Sequence, residues 1–128
     1  MDNTAGKAAL GGIDGNLAAL LGYIIWIIAL ISVIMEKENR FVKFHAIQSL
    51  LLHAAAAIVF GCVVVLLIIL GIVLALAGLG ALVGVLWLLY VVVVVGYIGA
   101  LIYSAVKAYN GVEFKLPIIG NMAENWTK

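Results

Sequence analysis

No Asp, Glu, Lys or Arg occurs between Lys43 and Lys107, which leaves an uncharged run of 63 residues from Phe44 to Val106. A helix needs ~20 apolar residues to cross a hydrocarbon core ~30 Å thick. The run is therefore long enough for two generous spans or three tight ones. A further 19 uncharged residues, LAALLGYIIWIIALISVIM, occupy Leu17–Met35. The whole chain is 67% hydrophobic and 10% charged, against ~45–50% and ~25% in soluble domains. A water-soluble core of this size does not hide so much hydrocarbon. The expected solvent for most of the chain is lipid.

The first sixteen residues, MDNTAGKAALGGIDGN, are small, polar and glycine-rich. Asp14 stands where a secretory signal carries Lys or Arg, and the apolar segment ends in IMEKEN with no small-residue cleavage site. It reads as a retained span. Glycines at 78, 80 and 84 mark a turn between two long helices, expected over His45–Ala77 and Ala81–Tyr109. Asn110-Gly111 is a helix stop, since both residues accept the left-handed conformation after a last turn. Three regions follow: a polar tail (1–16), a transmembrane helical domain (17–109) and a cytoplasmic-side interfacial tail (110–128).

Lys37, Arg40 and Lys43 follow the first apolar segment, and Lys107, Lys115 and Lys128 follow the last. Basic residues collect on the cytoplasmic side of membrane proteins, and three helices put these two groups on the same side. The expectation is an all-α, polytopic transmembrane bundle of three spans with a short amphipathic C-terminal tail. Its N-terminus lies outside and its C-terminus in the cytoplasm. Four spans is the alternative, because a 33-residue second helix exceeds the hydrocarbon thickness and Gly61 or Gly71 permits a break.

Small residues suggest the packing faces. Gly96, Ala100, Ser104 and Ala108 recur every four residues, Gly80 and Gly84 form a GxxxG, and Ala18 with Gly22 repeats the spacing. In lipid, such stripes let backbones approach closely, either within the chain or against another subunit. Tyr23, Trp26, Tyr103, Tyr109 and Trp126 read as interfacial anchors.

The polar side chains of the long stretch concentrate in EKENRFVKFHAIQSLLLH, residues 36–53. Asn39 is placed to cap a helix starting at Arg40. His45, Ser49 and His53 follow at four-residue spacing, with Gln48 beside them. Polar groups in a membrane need partners, so hydrogen bonding to neighbouring helices or to the tail is the expected role of His45, Gln48 and Ser49. The two histidines are eight residues apart, ~12 Å along a helix, too far to share a metal ion. Ser49–His53 lacks an acid to orient the imidazole. Neither a metal, a cofactor nor an enzymatic activity is expected, and the lone Cys62 reads as a small apolar side chain. A net charge of +1 with no basic stripe argues against nucleic acid. Arg40, Lys43 and Lys115 are expected to meet anionic headgroups. The apolar tail around Pro117 should lie on the membrane or dock on the charged loop, with a short capped helix starting near Asn121.

RFVKFHAIQSLLL at 40–52 and AVKAYNGVEFKLPIIGNMAE at 105–124 resemble a widespread family of small prokaryotic membrane proteins. It is grouped with the Tic-type import component of the chloroplast inner envelope and includes the magnetosome-membrane MamF/MmsF proteins. The matching positions are Glu36, Asn39, Arg40, Phe41, Phe44, His45, Ala46, Gln48 and Ser49, then Lys107, Ala108, Gly111, Pro117 and Gly120. The resemblance implies a multi-pass protein of a prokaryotic plasma membrane. Its partners would be the lipid bilayer and either other membrane proteins or further copies of itself. It implies two functional classes: a structural or assembly subunit of a larger complex, or a translocation component. The scarcity of polar groups in the interior favours the first.

Overall fold

A computed structural model describes residues 5–128; the first four residues of the expected polar tail lie outside the described residues. Five helices follow in order: α1 (Gly15–Ile24), α2 (Trp26–Met35), α3 (Arg40–Leu76), α4 (Ala81–Tyr109) and α5 (Ile119–Thr127). Among the described residues there is no strand beyond an isolated bridge between Lys7 and Asp14.

Only α3 and α4 are long and apolar enough to cross a membrane. At ~1.5 Å per residue they measure about 55 and 44 Å. α4 occupies the same residues as expected from the sequence, and α3 starts five residues earlier, at Arg40. Its first turn is capped by Asn39, whose Oδ1 accepts from the Val42 amide at 3.1 Å. Both long helices end alike, with a glycine in the left-handed conformation: Gly78 at φ 75° and Gly111 at φ 74°. The Leu79 amide reaches back to the Leu74 carbonyl and the Val112 amide to the Lys107 carbonyl. This is the paired hydrogen bonding by which a glycine closes a helix.

The expected first span, Leu17–Met35, is not one helix. Ile25 is extended at φ −124°, ψ 97°, and the chain reverses there. Gly22 lies against Ala29: a Cβ built on Gly22 would stand 3.5 Å from the Ala29 Cβ. In a straight helix those residues would be ~10 Å apart. The cause is side-chain chemistry supplied from outside the segment. Ser49 takes the Gly22 carbonyl at 2.7 Å, and the glycine lets α1 and α2 touch. Each arm is ten residues, ~15 Å, half the hydrocarbon thickness.

The N-terminal tail is fastened to the loop that follows α2. Glu36 accepts the Ala9 amide at 2.7 Å, and Asn39 Nδ2 donates to the carbonyls of Ala5 and Lys7. The start of α1 is fastened to the same place, since the Gly15 amide bonds the Gly6 carbonyl at 2.7 Å. A Cβ on Gly15 would meet the Ala5 carbonyl at 2.7 Å. The N-terminal tail is thus joined to the 36–39 loop, which the three-span arrangement put on the opposite side.

The chain divides into two compact units, Met1–His53 with Ala100–Lys128, and Ala54–Gly99. The first holds every Lys and Arg of the sequence and the three buried apolar clusters. Ala19, Tyr23, Ala105 and Ala108 form one; Ala8, Ala18 and Val42 another; Phe44, Ile47 and Ala123 the third. The alanines bring backbones close, as expected of lipid-embedded helices. The second unit is a helical hairpin whose one buried residue is Leu67. Within it the Phe60 ring meets Tyr97 and Tyr90 edge-on, with centroids 5.3 and 6.0 Å apart. Most of its valines, leucines and isoleucines face outward, the reverse of a soluble domain.

Candidate functional site

The first turns of α3 carry a buried polar network. Phe44, His45, Gln48 and Ser49 are wholly buried, because this part of α3 is enclosed by α1, α2 and the C-terminal tail. Gln48 is its centre. Its Nε2 donates to the Tyr23 hydroxyl at 2.7 Å and to the Phe114 carbonyl at 2.9 Å. Its Oε1 accepts the Leu116 amide at 3.0 Å. One side-chain amide therefore pairs with the tail as a neighbouring strand would.

Those partners fix the orientation of the amide. The tail presents an acceptor at Phe114 and a donor at Leu116, so the Gln48 amide has only one orientation that satisfies both. Tyr23 then receives from Gln48, and its hydroxyl pairs with His45 Nδ1, 3.1 Å away. A neutral imidazole accepting at Nδ1 carries its proton on Nε2. That nitrogen is buried without a hydrogen bond of good geometry, among the rings of Phe41 and Phe44, whose centroids lie 4.5 and 5.1 Å from that of His45. Tyr23, expected as an interfacial anchor, is fully buried and is the link that α1 contributes.

Ser49 donates to Gly22, and His53 Nδ1 bonds the Ser49 carbonyl of its own helix at 2.8 Å. The Ser49 hydroxyl hydrogen is thereby engaged and the imidazole is turned to the backbone. Among the described residues no three His, Cys, Asp or Glu side chains gather with metal-binding geometry.

Around this network the tail is held by charge and by shape. Arg40 Nη1 binds Glu113 at 2.9 and 3.1 Å, and Lys115 Nζ binds Glu124 at 2.8 Å. Two cations expected to meet headgroups thus pair with the chain's own carboxylates. Lys115, first by its hydrogen bond and then by its charge, holds the Glu124 carboxyl below the ordinary range. Gly120 packs where no side chain fits: a Cβ there would stand 2.6 Å from the Lys115 Cβ and 2.8 Å from Gln48 Oε1. Pro117 precedes Ile118, a β-branched residue at φ 65°, ψ −60°, and the Ile119 amide bonds the Pro117 carbonyl at 2.7 Å. This is a strained γ-turn, and α5 starts directly after it. The helix begins two residues before Asn121, with no side-chain cap.

Of the residues singled out in the sequence, Phe41, Phe44, His45, Gln48 and Ser49 meet in this network, with Arg40, Gly111 and Pro117 shaping its tail. The packing stripe divides. Ser104 is buried and Ala108 joins the Tyr23 cluster, with Ala100 half-buried. A Cβ built on Gly80, Gly84 or Gly96 would meet nothing within 4 Å among the described residues beyond its own turn or helix; Gly80 lies in the turn before α4 and the other two on its open face. Sequence reasoning passed over the anchoring role of Tyr23 and the carboxylate of Glu36. The resemblance pointed to Glu36 and Gly120 by position without saying what either does.

The model of the magnetosome magnetite crystal formation protein family matches residues 6–123. The chain belongs to this family. Its matched segment runs from the N-terminal turn to α5, so the family covers α1, α2, both long helices and the latched tail. Among curated relatives, UPF0132 membrane protein MJ1443 of Methanocaldococcus jannaschii is 37% identical over 124 residues, 96% of each chain. A second protein of that organism, UPF0132 membrane protein MJ1527, is 31% identical over 116 residues, 90% of this chain and 71% of its own. A UPF0132 membrane protein of Archaeoglobus fulgidus is 37% identical over 110 residues, covering 85% of this chain and 91% of its own. No solved structure matches. The relatives' names bear out the reading of a small prokaryotic membrane protein.

Proposed function

We propose that this chain is a non-enzymatic structural protein of the membrane, acting by packing against other membrane helices in a homo-oligomer or a larger complex. In this reading α3 and α4 cross the bilayer, while α1 and α2 enter it without crossing. Both tails and the 36–39 loop lie together on the cytoplasmic side, where all seven basic residues then gather, in keeping with the positive-inside tendency. The observation that carries the reading is the use of the polar interior. Tyr23, His45, Gln48 and Ser49 bond to one another and to the chain's own backbone, which fastens the fold and leaves His45 Nε2 as the member of this set without a hydrogen bond of good geometry. The outward glycines Gly80, Gly84 and Gly96, open to 4 Å, are the places where a second backbone can approach.

Native mass spectrometry after extraction in mild detergent, with cross-linking in intact membranes, tests this. The expected result is a fixed-stoichiometry oligomer or complex that is lost in Gly84→Leu or Gly96→Leu while the protein still inserts. A protein that is monomeric and without companions in both measurements overturns it. Conductance through liposomes holding the purified protein alone would instead support the translocation class suggested by the Tic-type resemblance.

A further inference from the structure

We infer that the α1–α2 hairpin is a wedge confined to one leaflet, and that its ligand is curved bilayer: a lipid surface bent so that the leaflet on the basic side is expanded. This rests on the membrane placement proposed above, and it adds an activity to it.

The length of each element sets the argument. α3 and α4 have 37 and 29 residues, enough to cross both leaflets. α1 and α2 have ten residues each, ~15 Å, enough for one. The hairpin's two ends are fastened to the polar side through Gly15–Gly6, Ala9–Glu36 and Asn39–Lys7, so neither arm can slide to the other leaflet. Its tip is built for hydrocarbon. Ile24, Ile25, Trp26 and Ile27 are 43–66% exposed, and no charged residue lies between Asp14 and Glu36.

Several backbone groups at the reversal are paired. Gly22 O is bound by Ser49, Leu21 O by the Ile25 amide, and Ile25 O by the amides of Ile28 and Ala29. A helix with side chains is ~10–12 Å across, so the two arms add about 200 Å² of cross-section to one leaflet, and nothing in their own length adds it to the other. A bilayer curved to expand that leaflet accommodates the hairpin; the opposite curvature compresses it.

The test uses the full-length wild-type protein, fluorescently labelled, in giant vesicles of phosphatidylcholine with a minor anionic lipid, from which narrow membrane tubes are pulled. Copies facing each way are read separately by quenching the outer label. Copies with the basic side outward should be enriched severalfold on the tube relative to the flat vesicle, rising as the tube narrows. Inward-facing copies should be depleted. Equal density on tube and vesicle, or the same sign for both orientations, overturns the wedge. The orientation reversal is its own control and needs no variant that must fold. On the same vesicles, residues 7 and 115 are tested for accessibility. If they share a face and sorting is absent, the wedge alone fails; if they lie on opposite faces, the membrane placement fails and the wedge with it.

Discussion

Gln48 joins the tail to the helices, and Gln48→Met is the substitution that isolates it. Methionine has nearly the same length, so packing changes little. What disappears is the pair of hydrogen bonds to Phe114 O and Leu116 N, 2.9 and 3.0 Å long, and a third to Tyr23. A typical hydrogen bond contributes ~0.5–1.5 kcal/mol net, so the two tail bonds together contribute about 1–3 kcal/mol. At 1.4 kcal/mol per factor of ten, opening of residues 112–118 should become roughly 5- to 150-fold more frequent. Hydrogen exchange of that segment in lipid nanodiscs reads the change directly, with the α4 amides as an internal reference. Gln48→Glu should open the tail further, since a carboxylate keeps an acceptor for Leu116 but faces the Phe114 carbonyl without a proton to give. Unchanged exchange of residues 112–118 in both variants would refute the reasoning.

Gly120→Ala should destabilise the tail by about 1–3 kcal/mol, the usual range for a forced overpacking, because its Cβ would collide with Lys115 and Gln48; thermal unfolding followed at Trp126 checks this. Gly22→Ala should be tolerated, its Cβ meeting Ala29 at an ordinary 3.5 Å, whereas Gly22→Leu should part α1 from α2 and lower the unfolding temperature. Glu124 has its pKa lowered in the folded protein, first by the Lys115 hydrogen bond. Its contribution is therefore present above the ordinary carboxylate pKa and lost as pH falls through the lowered value. Exchange of residues 112–127 should rise on acidification below that range, and Glu124→Gln should remove this acid step.

The long helices were legible because their signals are local and redundant: an uncharged run, a Gly-rich turn at 78–84, and Asn110-Gly111 closing α4. Asn39 as a cap was legible for the same reason, and docking was one of the two places expected for the tail. The break at Ile25 was not. No proline or charge marks it, and GYIIWIIAL reads as one continuous apolar helix. The reversal depends on Ser49 taking the Gly22 carbonyl and on a small-residue contact seven positions apart, which are tertiary facts. Tyr23 was misread with it: an aromatic seven residues inside a span looks like an anchor until the span folds back and buries it. The N-terminal tail read only as small, polar and glycine-rich. Its fastening required Glu36 and Asn39, some thirty residues away, to reach across to Ala9 and Lys7. The γ-turn at Ile118 had no signal either, since a β-branched residue there contradicts local preference and persists because Gln48, Gly120 and the Lys115–Glu124 pair hold both sides of it.

In the proposed placement the segment 17–35 enters the membrane and returns. In a Cys62→Ser background, single cysteines Lys7→Cys, Lys37→Cys and Lys115→Cys can be probed in intact cells with a membrane-impermeant thiol reagent. All three should react only once the cytoplasmic face is opened. Labelling of Lys7→Cys from outside while Lys37→Cys stays protected would mean that 17–35 crosses the bilayer, and would contradict it.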